Sequence, residues 1–185
     1  MIEVKKEIKE DRIRDKFIGI VNKIIIKKWQ TSIDCLILNE SADWVLVNNL
    51  FDYSIDGYAL IKKKVIKKSI HSEREKFVEK VLLANNKINY LFKIPIQFIV
   101  NELFTYFIKT ETILQISFRD ESYVYIGKIT KLLSHSFYFQ TIDTKGVWDK
   151  TRILIRFNSI YKIDFDTNYI NSLTTYMKTV HCNSF

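Results

Sequence analysis

The chain has 185 residues, of which 47% are apolar and 14% aromatic, and its formal net charge is +8. This length allows one or two domains, and the apolar content is high enough for a packed core, which argues against intrinsic disorder. No apolar run approaches the roughly 20 residues of a membrane-spanning helix.

The positive charge has two interpretations. It is typical of proteins that bind an anionic partner such as RNA, DNA or a membrane surface. It is also what a lysine-rich, arginine-poor composition gives when the coding sequence is rich in A and T. Both interpretations stay open at the level of composition.

The first half of the chain reads mainly as strands, because apolar and polar residues alternate. We predict strands at residues 17–28, 31–38, 44–51, 58–61 and 65–70. The period then changes to that of a helix at residues 72–83, with Ser72 as N-cap and acidic residues Glu73 and Glu75 in the first turn.

The second half repeats this order. A helix is predicted at residues 95–109, where Pro95 suits the first turn and one broad face is apolar. Strands are predicted at residues 112–118, 123–133, 137–142, 152–157 and 160–165. Asp166 or Thr167 can then cap a last helix.

The two halves align at a nearly constant shift of about 93 residues, which indicates a duplication. Five short strands and a helix in this order predict two tandem Sm-like or SH3-like β-barrels, each followed by a helix. We place the first domain at residues 1–86 and the second at residues 87–185. A competing alignment pairs Gly19 with Gly127, both of which suit a bend or bulge in a strand.

The residues of the central hairpin resemble those of a known family. The pattern W-V-L-V-x-x-x-x-D-Y-x-x-D-G-Y-x-L-I-x-x-K at residues 44–64, and the later Y-I-G-K-I at residues 125–129, resemble a family of small uncharacterised bacterial proteins. The resemblance covers most of the chain and its motifs are structural. It implies the tandem barrels, and since the family has no established activity, it implies no mechanism.

The Asp56-Gly57 pair predicts a hairpin turn, because glycine permits positive φ and aspartate bonds its own backbone. The alternative is a carboxylate cluster of Asp43, Asp52 and Asp56 for a metal or for acid–base chemistry. The second half keeps only Asp143 at these positions, so the turn is the preferred interpretation.

Other catalytic patterns are missing from the sequence. The histidines His71, His135 and His181 and the cysteines Cys35 and Cys182 lack zinc-ligand spacing. No phosphate-binding glycine loop or nucleophile motif is found. We therefore expect a protein that is not an enzyme and that uses no cofactor or metal. Distant cysteines and a charged start without a secretory segment predict a cytoplasmic protein with no membrane attachment.

The strongest remaining feature is a group of lysines next to two tyrosines. Lysines at the end of the fourth predicted strand can neutralise phosphates, and the tyrosines can stack on bases. The tentative nucleic-acid site is Lys62, Lys63, Lys64, Lys67, Lys68, Tyr53 and Tyr58. The alternative is an edge strand whose lysines prevent aggregation.

A second tentative site is Trp148, which follows Gly146 and is expected on a loop, where an exposed tryptophan suggests protein binding. The preferred function is a non-catalytic cytoplasmic binding or adaptor module with an unknown protein partner. One alternative is a weak, salt-sensitive binder of RNA or single-stranded nucleic acid through residues 62–68. Another is an immunity-type or regulatory protein that caps a partner protein.

Overall fold

Ten β-strands form one antiparallel sheet. The computed structural model describes residues 19–88, 100–143 and 145–182, without side-chain detail at residues 100, 101 and 180–182. The strands are β1 (Val21–Ile26), β2 (Ser32–Glu40), β3 (Trp44–Phe51), β4 (Ser54–Lys62), β5 (Ile66–Ile70), β6 (Leu114–Ser117), β7 (Val124–Leu132), β8 (Ser136–Ile142), β9 (Trp148–Arg156) and β10 (Lys162–Phe165). Their order across the sheet is β5-β1-β2-β3-β4-β10-β6-β7-β8-β9.

Three α-helices accompany the sheet in the described ranges: α1 (Glu73–Ala84), α2 (Val100–Lys109) and α3 (Asn168–Cys182). Ser72 caps α1, as predicted, and the structure adds a capping box between Ser72 and Glu75. The hydroxyl of Thr167 accepts the backbone N–H of Ile170 at 3.3 Å and so caps α3. The first part of the helix predicted at residues 95–109 lies outside the described residues. Among the helices that are described, none combines the length and hydrophobicity needed to cross a membrane.

The two halves of the sheet repeat one strand order. In the first half β5 pairs with β1, and in the second half β10 pairs with β6 in the same way. A short 3-10 helix separates β4 from β5, and another separates β9 from β10. Register breaks recur at equivalent places, at residues 37–39 of β2 and residues 129–131 of β7. The competing alignment is wrong, because Gly19 precedes β1 whereas Gly127 lies within β7 opposite Leu114.

The prediction of two closed five-stranded barrels is also wrong. Closure would require β4 to pair with β5 and β9 to pair with β10. Instead β4 pairs with β10 from the other half, with Leu60 opposite Ile163 and Ile61 opposite Lys162. This pairing supplies hydrogen-bond partners to the outer side of β4. Within the described residues the result is one open sheet with β5 and β9 as its edges, and the domain boundary at residues 86 and 87 stays a prediction.

The main core crosses the line between the halves. Leu46 and Leu60 of the first half pack with Phe104 and Phe107 of α2 and with the second half's own apolar side chains, including Phe137, Phe139 and Ile163. Helix α1 covers Val21, Leu36 and Leu50 on the first half, and α3 covers Ile113 and Ile142 on the second. Burial of these apolar surfaces is what holds the helices on the sheet.

Candidate binding site

The Asp56-Gly57 pair lies inside β4 and not at a hairpin tip. The turn between β3 and β4 is Asp52-Tyr53, since Phe51 pairs with Ser54. Gly57 has φ of +66° at a register break, where Asn48 pairs with Tyr58 and Leu50 pairs with Ile55. The pair therefore forms a β-bulge. A bulge and a turn can both place glycine at positive φ, so the sequence pattern does not distinguish them.

This bulge supports the start of helix α3. The Asp56 carboxylate accepts the backbone N–H of Asn168 at 2.7 Å. A Cβ atom on Gly57 would lie 2.4 Å from the carbonyl oxygen of Asp166, so only glycine allows this approach. The two residues thus join the first half of the chain to the last helix.

The three carboxylates of the alternative acid–base cluster have separate structural positions. Asp52 is in the hairpin turn with φ of 52°, and Asp56 caps α3. Asp43 precedes β3, where its carbonyl accepts the backbone N–H of Lys63 at 2.8 Å. Within the described ranges no three His, Cys, Asp or Glu side chains converge as metal ligands.

A cleft of about 870 Å³ lies between the end of α2, the face of α3 and the sheet. It brings together two residues from different predicted sites, Tyr58 of β4 and Trp148 of β9. Half of the residues that line it are aromatic or aliphatic: Tyr58, Tyr106, Phe107, Ile113, Trp148, Phe165, Ile170 and Met177. The cleft is open to solvent, and its volume is comparable to that of ligand-binding clefts in other proteins.

Aromatic stacking fixes the floor of the cleft. Tyr58 pairs with Phe165 across the β4–β10 junction, and their rings stack with centroids 5.3 Å apart. Phe107 of α2 meets Phe165 edge-on at 5.0 Å. These contacts hold the rings in set orientations and contribute about 1 kcal/mol each beyond area burial.

The charged groups of the cleft balance one another. The Nζ of Lys128 lies 2.8 Å from a Glu111 carboxylate oxygen and 4.9 Å from the centroid of the Trp148 ring. Asp166 and Lys178 supply one further charge of each sign. The cleft therefore carries no net charge that would select an anionic or a cationic ligand.

Exposed apolar side chains surround this part of the surface. Tyr106 on the cleft wall is 56% exposed, Tyr176 of α3 is 55% exposed and Val147 is 58% exposed. Tyr176 lies against the turn before β9, since a Cβ on Gly146 would come within 3.7 Å of its ring. Trp148 itself is half-buried at the start of β9 opposite Ile142, so the prediction of an exposed loop tryptophan is wrong.

The lysines of the tentative nucleic-acid site divide into two groups. Lys62 is buried, and its Nζ donates to the carbonyl of Phe157 at 2.8 Å while lying 5.2 Å from the centroid of the Trp44 ring. Burial, followed by the nearby charge of Lys64, lowers the pKa of Lys62. Lys63 pairs with Glu40 at 2.7 Å. Both lysines are therefore held by contacts within the molecule.

The other three lysines, Lys64, Lys67 and Lys68, are exposed around the edge strand β5. The tyrosines are not beside them. Tyr53 is in the hairpin turn at the opposite end of β4 from Lys62, a distance of about 30 Å along an extended strand. Its ring meets Phe77 of α1 edge-on at 6.4 Å. Tyr58 is in the cleft, so the tentative site does not form one surface.

The remaining reactive groups are tied into the structure. Cys35 is buried, and burial raises the pKa of its thiol to about 12, so it stays protonated. The Nδ1 of His71 lies 2.8 Å from the carbonyl oxygen of Val21. The side chains of His181 and Cys182 lie outside the described residues.

Sequence reasoning did not find Tyr106, Glu111 or Lys128. Lys128 follows Gly127 in an alternating strand, and Glu111 follows a helix, so each reads as an ordinary surface residue. Their pairing depends on how α2 meets β7, which no local pattern encodes. A positive φ of 51° at Glu111 ends α2 and directs the chain into β6.

Comparisons with protein-family models, with curated proteins and with solved structures find no match for this chain. The candidate site therefore rests on the geometry of the chain itself.

Proposed function

We propose that this chain is a non-catalytic binding module that docks an uncharged, apolar segment of a partner protein in the cleft between α2, α3 and the sheet. The observation that carries the proposal is the group of five aromatic side chains in the cleft wall, together with exposed aromatic side chains on the same surface. Tyr106 belongs to both the wall and the exposed surface.

A protein segment suits this surface better than a small polar molecule. Tyrosine and tryptophan are enriched at protein interfaces because they bury large areas at a low entropic cost. Exposed apolar patches on otherwise polar surfaces commonly mark interaction sites. Tyr106, Tyr176 and Val147 are such exposed groups.

The balance of charge supports an uncharged segment. Lys128 is held by Glu111, and its ammonium group also faces the Trp148 ring. A ligand phosphate or carboxylate would have to compete with Glu111 for this lysine. The paired Lys128 and Glu111 are therefore engaged with each other and are not free to select a charged ligand.

The test is selection of a random dodecapeptide phage library on the immobilised full chain, followed by anisotropy titrations of the selected peptides. We expect selected peptides with an aromatic or large aliphatic residue and little net charge, whose affinity changes little with salt. Tyr106→Ser should weaken binding roughly tenfold, as expected for an aromatic anchor.

Tyr53→Ser is the matched control, because Tyr53 is also exposed, at 45%, and lies in the β3–β4 turn outside the cleft. It should leave the affinity unchanged. Selection of highly charged peptides, or equal losses in the two variants, would overturn the proposal.

A second candidate function is nucleic-acid binding at the β5 edge. Lys64, Lys67 and Lys68 are exposed there, and Lys27 and Lys28 of the neighbouring β1–β2 turn are exposed as well. Labelled single-stranded RNA should then bind with an affinity that falls steeply as salt rises. Replacing Lys64, Lys67 and Lys68 by Glu should abolish binding, and no binding by the unaltered chain at low salt eliminates this candidate.

A further inference from the structure

Strand β9 forms one edge of the sheet, and its side chains form a charge pattern. In the described part of the chain, no strand pairs with the outer side of β9. Arg152 lies opposite Gln140, Leu154 opposite Tyr138 and Arg156 opposite Ser136, so these three side chains share one face. The pattern along this face of the edge is therefore basic, apolar, basic.

These side chains are available to a partner. Leu154 is 52% exposed and its cross-strand neighbour Tyr138 is 38% exposed. Arg152 and Arg156 are exposed, and no ion pair found within the described ranges includes either of them. Unpaired backbone groups along the same strand can hydrogen-bond to an added strand.

In the first half of the molecule, the strand equivalent to β9 accepts an antiparallel strand on its outer side. Strand β4 occupies in the first half the place that β9 occupies in the second, and β10 pairs with its outer side. Leu60, at the place equivalent to Leu154, lies opposite an apolar residue, Ile163. An apolar residue opposite Leu154 would repeat this contact.

A second copy of the chain is a poor occupant. The strand equivalent to β10 is β5, whose exposed side chains include Lys67 and Lys68. Like charges directly opposite each other destabilise a strand pair, so two basic edges repel. The charge of β9 instead favours an acidic strand.

We infer that the β9 edge binds an extended segment of a partner protein with the pattern acidic–x–apolar–x–acidic, added to the sheet as an antiparallel strand. Each acidic side chain lies opposite an arginine, and the apolar side chain lies opposite Leu154. Backbone hydrogen bonds hold the segment, and the alternating side chains select it. Trp148 at the start of β9 lines the cleft, but Arg152, Leu154 and Arg156 do not. The inference rests on these three side chains and does not depend on the function proposed above.

The probe is the labelled peptide Thr-Thr-Glu-Thr-Val-Thr-Glu-Thr-Thr, titrated by fluorescence anisotropy against the full chain. Comparison peptides replace both Glu by Lys, replace Val by Pro, or scramble the order at constant composition. We expect the acidic alternating peptide to bind roughly tenfold more tightly than each of the others. The lysine peptide loses both opposite-charge pairs, the proline peptide loses strand pairing, and the scrambled peptide loses the alternating order.

Two protein variants locate the site. Arg152→Glu with Arg156→Glu should reverse the preference toward the lysine peptide, and Lys67→Glu with Lys68→Glu at the opposite edge should change nothing. Hydrogen exchange on the unaltered chain gives a second measurement, which is independent of any substitution. Bound peptide should slow exchange at residues 148–156 and leave residues 66–70 unaffected.

Four outcomes would overturn the inference. These are no binding, equal binding of the ordered and scrambled peptides, loss of binding in the β5 variant, and protection confined to β5. Equal binding of the scrambled peptide would show attraction by net charge alone. Displacement of the peptide by single-stranded RNA together with protection at β5 would assign the anion-binding surface to the other edge.

Discussion

The Asp56 carboxylate accepts the backbone N–H of Asn168 at 2.7 Å, so a side chain of β4 caps the last helix of the chain. Asp56 and Asn168 belong to different halves of the molecule. The hydrogen bond ties the start of α3, one wall of the cleft, to the strand that carries Tyr58.

Loss of this cap should destabilise the fold. We expect Asp56→Ala to lower the free energy of unfolding by about 1 kcal/mol, the usual cost of removing a helix cap. Urea denaturation followed by circular dichroism measures the change. Asp43→Ala, at an exposed carboxylate before β3, is the control, with an expected change below about 0.5 kcal/mol. Equal losses in the two variants would contradict the capping role.

Gly57→Ala should cost more than Gly146→Ala. Both glycines have positive φ, so each substitution pays about 1 to 2 kcal/mol for the left-handed backbone. At Gly57 the new Cβ would also lie 2.4 Å from a backbone oxygen, whereas at Gly146 its nearest neighbour is a Met177 side-chain atom at 3.2 Å. We expect a total of about 3 kcal/mol or more for Gly57→Ala, and similar denaturation midpoints for the two variants would refute the close approach.

Leu60 and Leu154 occupy equivalent strand positions but different environments. Leu60 is fully buried at the β4–β10 junction, and Leu154 is 52% exposed at the edge. We expect Leu60→Ala to cost about 2 to 5 kcal/mol of unfolding free energy and Leu154→Ala below about 1 kcal/mol. Chemical denaturation of both variants tests this. A larger loss at Leu154 would mean that β9, and not β4, lies inside the sheet.

The stability of helix α1 should depend on pH through Glu75. Burial raises the pKa of Glu75, but hydrogen bonds from the Ser72 hydroxyl and backbone N–H and from Arg74 outweigh it and lower the pKa to about 2. A carboxylate whose pKa is lowered on folding stabilises the folded state at pH values above its ordinary pKa of 4.5. That contribution is lost as the pH falls from 4.5 to about 2.

Glu75→Gln should therefore be less stable than the unaltered chain at pH 7, and the difference should shrink between pH 4.5 and pH 2. Thermal denaturation at four pH values across this range provides the measurement. Glu73→Gln is the control, because the Glu73 side chain is 90% exposed and its pairing with Lys76 is screened by solvent. A constant difference for Glu75→Gln over the whole range would contradict the assigned hydrogen bonds.

Removing the charge from the β9 edge should promote self-association. Arg152→Val with Arg156→Val leaves a long apolar edge strand with open backbone groups, which is the usual template for edge-to-edge pairing. Light scattering coupled to size exclusion should show a larger species that grows with protein concentration. Lys76→Ala with Lys80→Ala removes the same charge from helix α1 and should not change the mass. An unchanged mass in the β9 variant would show that these charges do not protect the edge.

Features that depend on neighbouring residues along the chain could be read from the sequence. The strand Trp44–Phe51 has the predicted bounds, and α1 begins after Ser72 as expected, because side-chain alternation and helix capping are local effects. The repeated order of strands in the two halves was also visible. Cys35 belongs to the strand predicted at residues 31–38, and it is buried within the first half's apolar core.

The site could be predicted only in fragments. Tyr58 and Trp148 belong to two separate sequence predictions, and the cleft that joins them depends on the approach of α2 and α3 to the sheet. Lys62 read as a surface charge, yet the fold buries it over Trp44 and pairs it with a carbonyl of the second half. Contacts of this kind join residues far apart in the chain, and periodicity carries no information on them.

The sequence by itself determined which segments are strands and helices, approximately where they lie, and that their order occurs twice. Only the tertiary structure decided that β4 pairs with β10 and leaves the sheet open. The physical reason is that every strand edge offers the same backbone donors and acceptors, whichever strand comes to meet it. The choice of partner follows from the side chains buried around the junction, such as Leu60 beside Ile163, and that burial depends on the whole chain.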